Sequence, residues 1–369
     1  MYLTEVFQSP HLQMVLFDVL LLVYYFVVWL GLVVVVHWVC QACPQKGNPL
    51  PRKPLLSAHR GCSFLAPENT VHAYRKSLEL PQVVILETDI QISRDGHLFL
   101  LHDSTLLRTT DMVAKCPSVD PFTNATELYF YSSTCPLSSL NVGQWFAKNM
   151  VDDDLMVASN QSVPLLMDFL RLAVNSGSII LFDFKELPDN HPHALNLVNA
   201  TLKAIGEAGM LHEHVWWLPE LGRDYVLKNY PRMIQATKTE YTPFEEFAEK
   251  RIRVVNDAWT LPLNTWRKYQ NSNMNLSLNM YWVDTKMMLE YAWCIGIDSI
   301  TTDNCQELSK HNENQLFLVC QHLHYVLDQA FLPAVLCVVI ICVIFIAYLS
   351  KYEMKLKANG EYLQQHADE

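Results

Sequence analysis

Between residues 58 and 110 the chain carries Ala58-His59-Arg60-Gly61, Pro67-Glu68-Asn69-Thr70, Glu87-Thr88-Asp89, His102-Asp103 and Arg108-Thr109-Thr110. Two histidines supply acid/base groups that work near neutral pH. An arginine supplies a planar fork matched to phosphate, and carboxylates are hard oxygen ligands. Those are the parts that cleavage of a phosphodiester needs. Glu87 and Asp89 stand two apart in the apolar run 83–92, so on a strand both point to the same face. There they repel unless a cation sits between them, and an oxygen-only set favours Mg²⁺ or Ca²⁺. Asp183 and Lys185 close the run Ile179-Ile180-Leu181-Phe182, again two apart. Taken singly, these signals are weak: a lone strand-end histidine is more often structural, and an Asp-x-Lys pair is usually a surface ion pair. Two carboxylates inside an apolar strand are harder to dismiss, because burying them without compensation is costly.

Side chains this far apart need a scaffold that gathers them. Short apolar runs at 55–58, 83–92, 97–101, 178–184, 214–218, 232–237, 252–257, 276–283 and 297–302 read as strands. Helical patterns fill most gaps, over 68–80, 164–175, 191–208, 219–229, 243–250, 262–269 and 285–294. Regular alternation implies βαβ units with parallel strands. About eight such units in roughly 250 residues fit a (β/α)8 TIM barrel, with 97–101 as an extra hairpin strand. An open doubly wound sheet is the competing arrangement. In a barrel the C-terminal ends of the strands build the site, and His59, Arg60, Glu87, Asp89, His102, Asp183 and Lys185 fall at or near such ends. The long irregular stretch 104–161 is expected to border that site.

Of the 369 residues 50% are hydrophobic, and the excess is concentrated at the two ends. Segments 19–39 and 331–349 each have the length and apolarity of a membrane span, with Trp38 and Tyr348 where interfacial aromatics belong. The first lacks the basic leader and small-residue cleavage site of a signal peptide. Two spans put both termini on one side. Lys351, Lys355 and Lys357 argue that this side is cytoplasmic, although Lys46, Arg52 and Lys53 pull the other way. The expected plan is a cytoplasmic segment 1–18, a span 19–39, a Pro-rich tether 40–54 and a catalytic barrel 55–310 with its insertion 104–161. A linker 311–330, a span 331–349 and a cytoplasmic tail 350–369 follow. The barrel would then be extracellular or lumenal. Sequons at Asn124, Asn160, Asn199 and Asn275 agree.

Ten cysteines are present, and Cys337 and Cys342 fall inside the second span. In an oxidising compartment Cys116 and Cys135, which flank a polar part of the insertion, form the most natural pair. A free, cytoplasmic Cys40 or Cys43 would instead favour the reverse topology. The net charge of −11 argues against nucleic acid as a partner but not against a small phosphate.

The order of these motifs, with Asp95-Gly96 between Glu-x-Asp and His102-Asp103, resembles the glycerophosphodiester phosphodiesterase family over residues about 55 to 305. The flanking spans resemble the family's transmembrane branch, of which this chain would be a shortened form. The resemblance implies a TIM barrel with His59 and His102 as the general acid/base pair. It implies Glu87 and Asp89 as ligands of a divalent cation, Ca²⁺ or Mg²⁺, with Asp183 third where the family carries Glu. Arg60 and Lys185 would meet the phosphate. Trp282 would pack against substrate, a barrel-core aromatic being the competing role. Thr301-Thr302-Asp303 matches the end of the last strand and reads as structural. The implied activity is metal-dependent hydrolysis of a small-molecule or lipid glycerophosphodiester. The rivals are phospholipase C- or D-like cleavage of a lysophospholipid or glycosyl-phosphatidylinositol linkage, and a membrane receptor or scaffold with a lapsed site.

Overall fold

The computed structural model describes residues 48–322 apart from 132–133, 148–154 and 238–242, together with 40–44 and scattered positions between 17 and 34 and between 336 and 354. The chain divides into two compact units, Pro49–Asn314 and the segments on either side of it.

Nine strands occupy the nine runs marked out above: β1 Leu55–Ala58, β2 Val83–Ile92, β3 Leu98–Leu100, β4 Ile179–Phe184, β5 Val215–Trp217, β6 Ile234–Ala236, β7 Ile252–Ala258, β8 Ser277–Tyr281 and β9 Ser299–Thr302. Eight run parallel in the order β1-β9-β8-β7-β6-β5-β4-β2, and β1 also pairs with β2, so the sheet closes on itself. That closure rules out the open sheet. β3 lies antiparallel on β2. Helices α1 Val71–Leu78, α2 Leu166–Ser176, α3 Leu197–Glu207, α4 Arg223–Asn229, α5 Glu246–Glu249, α6 Leu263–Gln270, α7 Lys286–Ile295 and α8 Cys305–Lys310 follow the strands. Strands covered on both faces must be apolar nearly throughout. β2 is almost wholly buried, so its Glu87 and Asp89 break the rule for a reason other than packing. Local chemistry sets the helix ends. The hydroxyls of Thr70 and Thr285 accept from the N–H groups of Ala73 and Met288 at the starts of α1 and α7.

Part of the expected tether belongs to the barrel unit. Lys53 Nζ donates to the carbonyls of Leu308 (3.1 Å) and Ser309 (3.2 Å), and Trp293 Nε1 donates to the Pro51 carbonyl (2.6 Å). Those bonds tie the chain just ahead of β1 to the end of α8 and to α7. Parallel strands share one starting end, so the chain enters and leaves this unit at the end opposite the strands' C-terminal tips.

The insertion builds a core of its own around Phe99, Leu106, Met112, Phe130, Leu137, Leu140 and Val163. The expected Cys116–Cys135 disulfide closes part of it. Asp95, in the β2–β3 turn, accepts from Ser93 Oγ (2.6 Å) and from Phe130 N (2.8 Å), pinning the insertion to the hairpin. Burial works upward on that carboxyl, but the Ser93 and Phe130 bonds hold it down at about 2.

In the other unit Cys40 is bonded to Cys320, so it is not the free thiol of the reverse-topology reading. The expected spans 19–39 and 331–349 lie largely outside the described residues, as do most of 1–18 and 350–369. Among the described residues no helix is long and apolar enough to cross a membrane.

Candidate active site

His59, Arg60 and Gly61 form a tight turn at the tip of β1, with Arg60 at φ 50° and Gly61 at φ 84°. A Cβ on Gly61 would lie 2.7 Å from the Ala73 Cβ, so only glycine lets this turn sit against α1. The turn aims the Arg60 N–H at Glu87 Oε2 (2.8 Å). His59 Nδ1 lies 2.7 Å from Asp303 Oδ1, which also accepts from Ser63 Oγ at 2.6 Å. Asp303 is held in turn, its N–H donating to Asp284 Oδ1 (2.8 Å). The Cys62–Cys305 disulfide ties together the two loops that carry His59 and Asp303. Asp303, whose Thr-Thr-Asp setting reads as structural in the sequence, is thus a partner of the site. Its only signal was the Thr-Thr-Asp ending at the last strand, because β9 comes to lie beside β1 only when the barrel closes.

The register of β2 on β4 places Asp89 beside Asp183 and Glu87 beside Leu181. Asp89 accepts from Asn69 Nδ2 (2.9 Å) and pairs with Lys185 Nζ (2.7 Å) and Arg60 Nε (3.3 Å). Lys185 also reaches Asp183 at 3.2 Å. The Pro-Glu-Asn-Thr motif now divides its labour: Glu68 pairs with Arg60 (3.2 Å), Asn69 orients Asp89, and Thr70 caps α1. Burial, with Asp89 next to it, pushes the Glu87 carboxyl up to about 7 against the pull of His59 and Arg60. Burial works the same way on Asp89, but Lys185, Arg60 and His102 outweigh it and hold that carboxyl below its ordinary range. For His59, burial pulls downward; the bond to Asp303 and the charges of Glu87 and Asp303 prevail and raise it.

A resident divalent cation can be tested against this donor set. Oxygen donors two apart on one strand, one of them a carboxyl that burial and its neighbour Asp89 drive toward neutrality, are what such a cation would relieve. The chemistry fits. The expected three-carboxylate cluster is not assembled, however: Lys185 pairs with both Asp89 and Asp183, and among the described residues no three acidic, histidine or cysteine groups converge as ligands.

His102, at the end of the hairpin, places Nδ1 2.8 Å from Asp103 Oδ1. His59, Arg60, Glu87, Asp89, His102, Asp183, Lys185 and Trp282 all line one cleft of about 150 Å³ at the strands' C-terminal ends, beside Leu218 and Asn256, which the sequence did not single out. Trp282 is half exposed, 6.5 Å from the His59 ring, so it borders the cleft and is not a core aromatic. Among the sequons, Asn160, Asn199 and Asn275 are exposed, whereas Asn124 is partly buried and accepts from Thr126.

A family model described as the glycerophosphoryl diester phosphodiesterase family matches residues 59–243. The chain belongs to that family. It is 32% identical over 302 residues to glycerophosphodiester phosphodiesterase domain-containing protein 5 of Gallus gallus, covering 79% of this chain and 49% of that protein. It is 33% identical over 293 residues to a glycerophosphoinositol inositolphosphodiesterase of Mus musculus, covering 76% and 52%. The chain therefore spans about half the length of the curated relatives it matches. Two solved structures share the glycerophosphodiesterase fold. A phosphodiesterase of Oleispira antarctica in complex with sn-glycerol-3-phosphate superposes with a TM-score of 0.55 at 15% identity, covering 69% of this chain and 95% of that one. The glycerophosphodiester phosphodiesterase of Agrobacterium tumefaciens gives 0.53 at 18%, covering 70% and 100%.

Proposed function

We propose that this glycerophosphodiesterase-family chain hydrolyses glycerophosphodiesters, with His59 and His102 as the acid/base pair and a divalent cation, Mg²⁺ or Ca²⁺, as cofactor. The observation that carries the reading is the single cleft in which two imidazoles, Arg60, Lys185 and a buried carboxylate pair meet. Glu87 and Asp89 would hold the cation, and Asp183 on the neighbouring strand would join them once Lys185, which pairs with both aspartates, turned to the phosphate. When bound, it polarises the phosphoryl oxygens and lowers the pKa of a nearby hydroxyl. Arg60 and Lys185 neutralise the remaining phosphate charge. A substrate hydroxyl next to the phosphate attacks phosphorus with a large effective molarity. His102 takes its proton. His59, kept protonated to higher pH by Asp303 and Glu87, gives a proton to the leaving alcohol. Water then opens the cyclic diester with the two roles exchanged.

The cleft is lined mainly by charged and polar groups, which favours a diester arriving from water. One observation favours a lipid substrate instead: Phe64, Trp259 and Trp282, on the loops leaving β1, β7 and β8, are 64%, 45% and 51% exposed. Incubating the purified full chain with glycerophosphoinositol, glycerophosphocholine and a lysophospholipid separates these readings. Faster turnover of the two water-soluble diesters, with glycerol phosphate as product, supports the first, and faster turnover of the lysophospholipid the second; inositol phosphate would mean a phospholipase C-like cut. Activity that survives a chelator would remove the cation from the scheme.

We further propose that the chain is of the transmembrane branch, anchored through 19–39 and 331–349 with its barrel outside the cytoplasm. Disulfides Cys40–Cys320, Cys62–Cys305 and Cys116–Cys135 support an oxidising compartment. A chain whose mass does not change on glycosidase treatment, or that alkaline carbonate releases from membranes, would refute this placement.

A further inference from the structure

Arg108 belongs to no step above, yet it is the most fully engaged cation beside the cleft. Its Nε and Nη2 donate to Asp103 Oδ2 (2.7 Å) and Oδ1 (2.8 Å), while Nη1 and Nη2 donate to Glu68 Oε2 (2.6 Å) and Oε1 (2.8 Å). One guanidinium thus grips two carboxylates, each by both oxygens, a geometry that lysine cannot reproduce. Asp103 is the group that meets His102 Nδ1. Glu68 is buried on the β1–α1 connection and also pairs with Arg60. Neither Arg108, Asp103 nor Glu68 lines the cleft, so whatever they contribute passes through His102 and Arg60.

We propose that Arg108 is a positioning residue that fixes the orientation and tautomer of His102. The bonds from Arg108, with a smaller opposing effect of burial, hold the Asp103 carboxyl at about 2. An ionised Asp103 only accepts, and the grip of Arg108 on both its oxygens fixes how it faces His102, so the nitrogen facing it carries the proton. The other ring nitrogen is left bare toward the cleft, as a general base requires. The insertion braces Arg108 from outside, its guanidinium lying 6.0 Å from the centre of the Trp145 ring.

This inference rests on the acid/base reading of His102, and its test separates the two. In the full chain, Arg108→Ala is expected to lower kcat by about 10- to 100-fold. KM should stay within about threefold, because Arg60 keeps its own contacts to Asp89 and Glu68. Added methylguanidinium should restore part of the lost rate, since Arg108 is partly exposed. Arg108→Lys, which keeps charge but not the double fork, should remain well below the parent. In a His102→Ala background, Arg108→Ala should cost almost nothing more. A kcat within twofold of the parent, or an undiminished loss in that background, overturns the proposal. A readout independent of turnover covers an inactive parent. With ¹⁵N-histidine labelling, His102 should show a single Nδ1–H tautomer in the parent and a mixture in Arg108→Ala. No diesterase activity with that tautomer change refutes the acid/base reading alone; identical spectra refute the role of Arg108.

Discussion

His59 is 8% exposed and takes its carboxylate partner, Asp303, from 244 residues away, whereas His102 lies further out and pairs with the adjacent Asp103. The first pair is built by barrel closure: β1 and β9 become neighbours, and Ser63, Asp284 and the Cys62–Cys305 disulfide hold the two loops in place. The second pair needs no closure but has little packing to steady it, and an arginine from the insertion does that work instead. Two imidazoles with matching chemistry are thus secured by different means, one by burial and long-range topology, the other by a hydrogen-bonded ion network at the edge. Burial makes a carboxylate–imidazole contact stronger, and exposure makes it dependent on a brace.

Each side of that contrast can be broken in turn. The largest effect is expected on removing an imidazole outright: His59→Ala and His102→Ala should each lower the initial rate on a glycerophosphodiester by about 10²- to 10⁴-fold. If one is lost without effect, the pair is not a pair. Next comes Asp303→Asn, whose kcat should fall by about 10- to 100-fold. The sign of its pH effect follows from the raised value of His59. Asp303 helps the ring keep its proton, so without it the limb of the pH–rate profile that reports His59 should move toward lower pH. A limb that stays put would detach Asp303 from the chemistry.

A third comparison concerns stability. Replacing Cys62 and Cys305 together by serine should cost about 2–5 kcal/mol in thermal or denaturant unfolding. Serines at Cys116 and Cys135, which close a separation of only 19 residues within the insertion, should loosen the insertion more than the barrel. Equal losses from the two pairs would mean that barrel and insertion unfold as one. The smallest effect is at acid pH. Asp103, held at about 2 against an ordinary 3.8, contributes stability that is present above its ordinary value. That contribution is lost as pH falls from about 4 toward 2. Partial exposure of the pair keeps the loss small, and Arg108→Ala should flatten it in a melting-temperature series.

Much of the scaffold was legible from the chain because strand signals are local. All nine strand runs and the helical stretches between them appear where apolar runs and periodicity placed them. The shared face of Glu87 and Asp89 follows from the two-residue repeat of a strand. The pairing of Cys116 with Cys135 was accessible for the same reason, two cysteines bounding one short loop. The role of Asp303 was not, since nothing near it in sequence says which histidine it will meet. Nor was the placement of Lys185 against both Asp89 and Asp183, which depends on how β4 registers against β2.

The amino-acid order alone determined which segments become strands, which residues stand at their tips and what chemistry those residues can perform, because backbone periodicity and side-chain type act over a few residues. Tertiary packing decided the rest: the Asp303–His59 bond, the reach of Arg108 to Glu68 and the paired state of the carboxylates. Each joins side chains that approach only after distant strands have found their neighbours, and that choice is made by packing across the whole ring.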